Sequence, residues 1–247
     1  MLTLCVFEKN HPSVKIKAII QARMGSSRLW GKSLMKVGDL NLIDHVMIRA
    51  LKALPEKDIV LATSTNPEDE VLCEYVARNY NIAIFRGSPT NVRSRFISIA
   101  EKEQLSHIIR ITADDPFKDP DDILLCKEIL ETLQFDYVCN FKDSNVPLGM
   151  DVEGFSTQSL LIAASIDDST ESQEHVTNTY HNNQHFRKVY IVENRYNRNL
   201  RLTVDWPADL QFCSDVANVL NHSDFSWQHT LMGVKEILRN VGNNEAN

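Results

Sequence analysis

The chain has 247 residues, 43% hydrophobic and 24% charged, a composition that excludes wholesale disorder, collagen-like repeats and a coiled coil. Its length permits one large domain or two small ones, burying roughly 70–75% of the extended-chain surface on folding. With 26 Lys and Arg against 33 Asp and Glu, the net charge is −7, which excludes a broad basic footprint for nucleic acid. It does not exclude a small anion held where the cations are concentrated.

Residues 1–14, beginning MLTLCVFEKN, read as an N-terminal extension without the basic flank and apolar length of a signal peptide. No apolar run approaches the ~18 residues of a membrane span. The expectation is a soluble cytoplasmic protein with no membrane partner. Lys15–Gln21 is a β-rich run, and Leu42–Leu54 carries apolar residues at helical spacing. Ile59–Ala62 reads as a short buried strand. Asn66 with Pro67, Glu68 and Asp69 reads as an N-cap, a first-turn proline and first-turn acids, opening a helix. Strand Ile82–Phe85, helix Val92–Lys102, strand Ile108–Thr112, helix Asp121–Leu133 and strand Tyr137–Asn140 follow. Helices near Ser159–Ala164 and Glu174–Asn182 precede strands Val189–Val192 and Leu200–Val204. Helices from Pro207 to Leu220 and from Gln228 to Arg239 close a single domain, 15–241, before a disordered tail at 242–247. The cysteines (Cys5, Cys73, Cys126, Cys139, Cys213) are scattered, odd in number and form no CxxC; they read as buried thiols.

Strand–helix alternation implies an α/β fold, a mainly parallel sheet with helices on both faces. Ligands bind such sheets outside the carboxyl ends of the strands, which directs attention to the residues after each strand. Ala22-Arg23-Met24-Gly25-Ser26-Ser27-Arg28-Leu29-Trp30-Gly31-Lys32-Ser33 follows the first. Its glycines let backbone amides approach a ligand, its serines donate hydrogen bonds, and Arg23, Arg28 and Lys32 supply charge suited to a di- or triphosphate. A P-loop has four residues between its glycines, whereas five separate Gly25 from Gly31. The same composition would also suit a flexible basic surface loop.

Two aspartates stand at strand exits, Asp114 before Asp115-Pro116 and Asp205 before Trp206-Pro207. Brought together they would make a hard-oxygen site for Mg²⁺. Each alone is equally a turn or helix-capping residue. His175, His181 and His185 lack a clear third ligand and an HExxH pattern, so zinc is not expected.

Ala22–Leu34 resembles the N-terminal signature of the cytidylyltransferases that make CMP-activated acidic sugars. The match is to the spore-coat-polysaccharide branch, relatives of the CMP-Kdo synthetases. Arg110-Ile111-Thr112-Ala113-Asp114-Asp115-Pro116 and Leu202-Thr203-Val204-Asp205-Trp206-Pro207 resemble the second and C-terminal motifs of that family. Gly149-Met150-Asp151-Val152-Glu153 and Glu174-His175-Val176-Thr177 are similar to its sugar-side elements. The resemblance covers roughly Lys15–Leu220. It implies a three-layer Rossmann-like nucleotide-diphospho-sugar transferase fold with a mainly parallel mixed sheet. The implied reaction is CTP + sugar → CMP-sugar + pyrophosphate, with CTP and a sugar as partners. The implied nucleotide site is Ala22, Arg23, Gly25, Ser26, Ser27, Arg28, Lys32, Arg95 and Thr112, with Arg23, Lys32 and Asp114 catalytic. Asp114 and Asp205 would hold Mg²⁺, and Asp151, Glu153 and His175 would line the sugar pocket. Family members are often dimers, which admits a homodimer.

The sequence departs from the family at four places. Trp30 replaces a proline, Asn91 and Ser94 replace acids, and Gln173 replaces an arginine. These departures leave open a non-catalytic nucleotide-binding homologue. The motifs are also compatible with a nucleotidyltransferase using another NTP, with a sugar-nucleotide-using glycosyltransferase and, against the loop count, with a P-loop kinase.

Overall fold

Strand β1 (Ile16–Gln21) is buried along almost its whole length, the signature of a strand covered on both faces at the centre of a sheet. The computed structural model describes residues 14–142, 146–181, 183–192, 200–220 and 225–244. The expected N-terminal extension before Val14, with Cys5, lies outside the described residues. A hairpin of β2 (Lys36–Val37) and β3 (Leu40–Asn41) turns at Gly38, where φ is +62°. The remaining strands are β4 (Ile59–Ser64), β5 (Ala83–Gly87), β6 (His107–Thr112), β7 (Tyr137–Cys139), β8 (Glu153–Ser156) and β9 (Lys188–Tyr190). Strands β5-β4-β1-β6-β8-β7-β9 lie side by side in a seven-stranded sheet. β1 pairs in parallel with β4 and β6, while β8 runs antiparallel to both β6 and β7. The sheet is therefore mixed but mainly parallel, as the sequence implies.

Alternation along β1 divides the core. Ala18 and Ile20 face α1 (Leu42–Ala53), α2 (Glu70–Asn79) and α4 (Pro120–Glu131), with Val46, Leu72 and Ile123 among the buried partners. Ile19 faces α3 (Val92–Glu103), α5 (Thr157–Ile166) and, beyond α6 (Thr170–His175), the short α7 (Asn178–His181). Two faces buried by helices make the three layers. A third cluster, including Phe117, Leu202, Val204, Cys213 and Val234, joins α8 (Pro207–Val219) and α9 (Trp227–Asn244) to the body. Helix α9 continues to Asn244, past Gly242 where the sequence suggests a tail; residues 245–247 lie outside the described residues. No helix among the described residues is long and apolar enough to cross a membrane.

Three local expectations are corrected. Asn66 makes no side-chain cap; Pro67–Asp69 is a 3₁₀ turn and α2 starts at Glu70. The expected helix Glu174–Asn182 is broken at Val176, where φ is +59°. Leu200–Val204 is not a sheet strand. Its Leu202 and Val204 amides donate to the carbonyls of Leu148 and Asp114, both at 2.8 Å, so loops rather than a neighbouring strand satisfy this backbone. The expected apolar face survives, since Leu202 and Val204 are fully buried.

Candidate active site

β1 and β6 end side by side, Gln21 opposite Thr112, so the loops that leave them share one rim of the sheet. The first loop folds on itself, the amides of Ser26 and Gly31 both donating to Met24 O at 2.8 Å. Gly31 has φ +73°, a conformation that favours glycine. A Cβ on Gly25 would collide with the Glu68 carboxylate. Lys32–Leu34 closes the loop as a single 3₁₀ turn, and α1 begins only at Leu42. The long helix that a P-loop feeds is therefore missing here, which removes the kinase reading.

Asp69 fixes the loop from beneath. Its fully buried carboxylate accepts the Met24 amide at 2.6 Å and the Ser64 amide at 3.2 Å, and also the Ser64 hydroxyl. The sequence reads Asp69 only as a first-turn acid. Burial gives it this second role, and nothing in the local pattern signals it.

The loop cations converge on the two motif aspartates. Lys32 Nζ lies 3.1 Å from a carboxylate oxygen of both Asp114 and Asp205, and 2.7 Å from Val204 O. Arg28 donates to Asp205 at 2.8 Å and stacks over the Trp206 ring at 5.4 Å. Arg201, which the motifs did not single out, donates to the other Asp205 oxygen at 2.6 Å and also grips Asp209. Arg23 reaches across to Glu174 at 2.9 Å. Arg23, Arg28, Lys32, Asp114, Glu174 and Asp205 border a cleft of about 450 Å³, lined also by Ala22, Ser26, Ser27, Thr112, Arg95 and His175, while Arg201 braces Asp205 from outside it. Gly25 shapes the loop without lining the cleft.

The aspartates differ in proton affinity. Burial and neighbouring Asp115 push the Asp114 carboxyl up against the opposing pull of Lys32, while a third of the side chain (31%) still faces the cleft. Burial would also raise Asp205, but Lys32, Arg201 and Arg28 hold it below the usual carboxylate range. An acid whose folded pKa lies above its unfolded one favours the folded state when protonated, and that advantage is lost as pH rises through the folded value. Asp114→Asn copies the protonated form. Its urea midpoint should match the wild type in acid and exceed it increasingly towards neutral pH. An equal offset at all pH values would contradict this.

Adjacent Asp115 plays a different part. It is buried, accepts the Thr112 hydroxyl and pairs with buried Lys118 at 2.9 Å. Thr112 therefore orients the Asp114–Asp115 turn as well as lining the cleft. Arg95 is also turned inward. It is buried and donates to Ser88 O at 2.7 Å and Pro89 O at 3.2 Å. Burial, then repulsion by Arg23, pulls it down to about 10. Asn91, one of the departures, caps α3 by accepting the Ser94 amide at 2.8 Å. Gln173 holds Asp168 at 3.0 Å.

A second cavity of about 380 Å³ adjoins the first, with Arg110 and His175 bordering both. Asp151, Glu153, Thr177, His181, Phe141 and Leu148 complete much of its wall. Glu153 is buried and accepts hydrogen bonds from Arg110, from the Tyr137 hydroxyl, and from Thr177 at 3.1 Å. Burial works against its charge, but Arg110 and these donors hold its carboxyl low. Asp151 accepts the Gly149 amide at 3.1 Å. Gly149 has φ +99°, and a Cβ there would stand 2.6 Å from the Leu202 and Thr203 backbone. That close approach ties the Asp151 turn to the segment carrying Asp205.

Asp114 and Asp205 thus present two hard oxygen ligands to one point, now taken by the Lys32 ammonium. That set fits Mg²⁺, which uses one or two carboxylates and completes its shell with water and substrate phosphates. Among the described residues no group of three His, Cys, Asp or Glu could hold a metal by protein ligands alone, so the fit requires the phosphates.

A family model described as cytidylyltransferase matches residues 17–228. The spore coat polysaccharide biosynthesis protein SpsF of Bacillus subtilis is 33% identical over 203 residues, 78% of this chain and 82% of that protein. A 3-deoxy-manno-octulosonate cytidylyltransferase of Geotalea daltonii is 27% identical over 107 residues, 43% of this chain and 41% of the other. A cytidylyltransferase structure from Leptospira borgpetersenii superposes with a TM-score of 0.85 at 24% identity, covering 92% of this chain and 96% of that one.

Proposed function

This chain belongs to the cytidylyltransferase family, and from that premise we propose that it transfers CMP from CTP to an acidic sugar, releasing pyrophosphate. The observation that carries this reading is the meeting of Lys32 with Asp114 and Asp205, both at 3.1 Å, beneath a loop rich in cations and hydroxyls. The acceptor class rests on the motif resemblance and on the activity of the Geotalea daltonii relative.

In this reading the first cavity takes the nucleotide and the second takes the sugar. Arg23, Arg28 and Lys32 face the β- and γ-phosphates and stabilise the charge that develops on departing pyrophosphate. Ser26 and Ser27 add hydroxyl donors. Asp114 and Asp205 would hold Mg²⁺ together with the nucleotide phosphates, and the ion would supply positive charge against the phosphates and lower the pKa of a nearby hydroxyl. His175 and Arg110, at the junction of the cavities, orient the acceptor hydroxyl for in-line attack on the α-phosphorus. Lys118 and Glu153 hold Asp151 and Arg110 in place around it.

The test is Mg²⁺-dependent pyrophosphate release, crossing four NTPs with a panel of sugar acids and neutral sugars. CTP with a sugar acid should give release and a CMP-sugar product. Release with a neutral sugar alone would overturn the acceptor class. CTP binding without any release would favour a non-catalytic homologue.

A further inference from the structure

The segment carrying Glu174 and His175 is anchored at one end and strained at the other. At its start, buried Arg93 of α3 donates to Asp167 O and to Asp168 Oδ1, both at 2.7 Å. Ser169 caps the Ser172 amide and Gln173 grips Asp168. At its end Val176 has φ +59° and ψ −50°, and the Thr177 amide donates back to His175 O at 2.5 Å. That is a γ-turn of the rare, strained hand, made by a buried β-branched residue for which positive φ is an outlier. Strain of this kind persists only where the surroundings over-determine it, and it clusters at switching elements.

Helix α6 also spans the two cavities. On the nucleotide side Glu174 pairs with Arg23 at 2.9 Å. On the sugar side, past the strained turn, Thr177 donates to Glu153, which pairs with Arg110. Arg110 then donates to Gln21 at 3.0 Å, two residues before Arg23. The contacts form a closed ring from the loop, through α6, to the wall shared by both cavities.

The Arg23–Glu174 pair is its exchangeable member. Both side chains are exposed, by 40% and 51%, and exposed pairs contribute little stability. A phosphate tail is the stronger, bidentate partner for a guanidinium. We infer that Glu174 is a stand-in anion that holds Arg23 until a nucleotide triphosphate displaces it, freeing α6 to reposition His175 in the second cavity. Glu174 is thus a positioning residue that couples nucleotide arrival to the acceptor site. The inference rests on the first cavity taking CTP.

Glu174→Gln keeps the side-chain shape and removes the competing charge. Calorimetric titration with CTP and Mg²⁺ should show the variant binding about two- to fivefold more tightly than the wild type, the range set by an exposed ion pair. In the wild type, CTP should raise amide hydrogen exchange over residues 174–178. CMP, without the β- and γ-phosphates, should leave it unchanged. The variant should exchange fast in this segment from the start and show no CTP response. Equal or weaker CTP binding by the variant, or the same exchange change with CTP and CMP, would overturn the inference while leaving the nucleotide reading intact. Failure of the wild type to bind CTP at all would overturn both.

Discussion

Lys32→Met should lower turnover by at least ~100-fold while the fold stays intact, the usual loss when one preorganised electrostatic stabiliser is removed. Lys32 is the group in the cleft that touches both motif aspartates, and its side chain is only 13% exposed. A charge this shielded from water acts more strongly on a developing phosphate charge than one on the surface. Asp114→Asn should show a loss of similar size for the complementary reason: the amide keeps the volume but not the anionic ligand. The two variants separate in stability. Lys32→Met leaves Asp114 and Asp205 without their shared cation, so its melting temperature should fall, whereas Asp114→Asn relieves a carboxylate that burial already disfavours. Pyrophosphate release measured beside a thermal melt reads both properties. The loss should fall on kcat, since stabilisation of a departing pyrophosphate is felt in the transition state. Near-wild-type turnover in either variant would remove its residue from the reaction.

The main outline of the sheet was legible because its strands are short apolar runs between turn residues, and because Pro and Asp mark several helix starts. Asp119, for instance, caps α4 by accepting the Asp121 amide at 2.9 Å, just where the sequence turns from loop to helix. The loop cations and the two aspartates were legible as a motif set. What stayed hidden depends on contacts between distant parts of the chain. Asp69 looks like any first-turn acid, and only its burial against Met24 and Ser64 shows that it supports the loop. Arg49 is similar. It sits in an ordinary helical pattern, yet it is buried and donates to Pro116 O and Phe225 O, both at 2.7 Å. It thereby ties the turn after Asp114–Asp115 to the segment leading into α9. Leu200–Val204 misled for the converse reason. Its alternation is a genuine burial pattern, but alternation reports which side chains are inside, not which backbone lies beside them.

Glu153→Gln should destabilise the protein by about 3–5 kcal/mol, the range for breaking a buried ion pair from one side. Glu153 is 3% exposed, and its partner Arg110 has a side chain only 11% exposed. Tyr137 and Thr177 donate to different oxygens of the carboxylate, so the glutamine's single carbonyl oxygen can keep one of the two bonds and the hydrogen-bond loss is partial. What it cannot do is balance the guanidinium, which keeps its charge in the wall between the cavities. The double variant Glu153→Gln with Arg110→Met should therefore recover much of the lost stability, since removing both charges avoids the uncompensated one. The pH dependence carries the same signature. Glu153 is held below its ordinary value, so its contribution is present above the unfolded pKa and is lost as pH falls through the folded one. The gap between wild type and Glu153→Gln in urea midpoint should narrow in acid. A gap constant with pH, or a double variant no better than the single, would mean that Glu153 acts through packing rather than charge. The active-site consequence then follows independently. Recovery of stability in the double variant without recovery of turnover would place Arg110 in the work of the cleft as well as in its architecture.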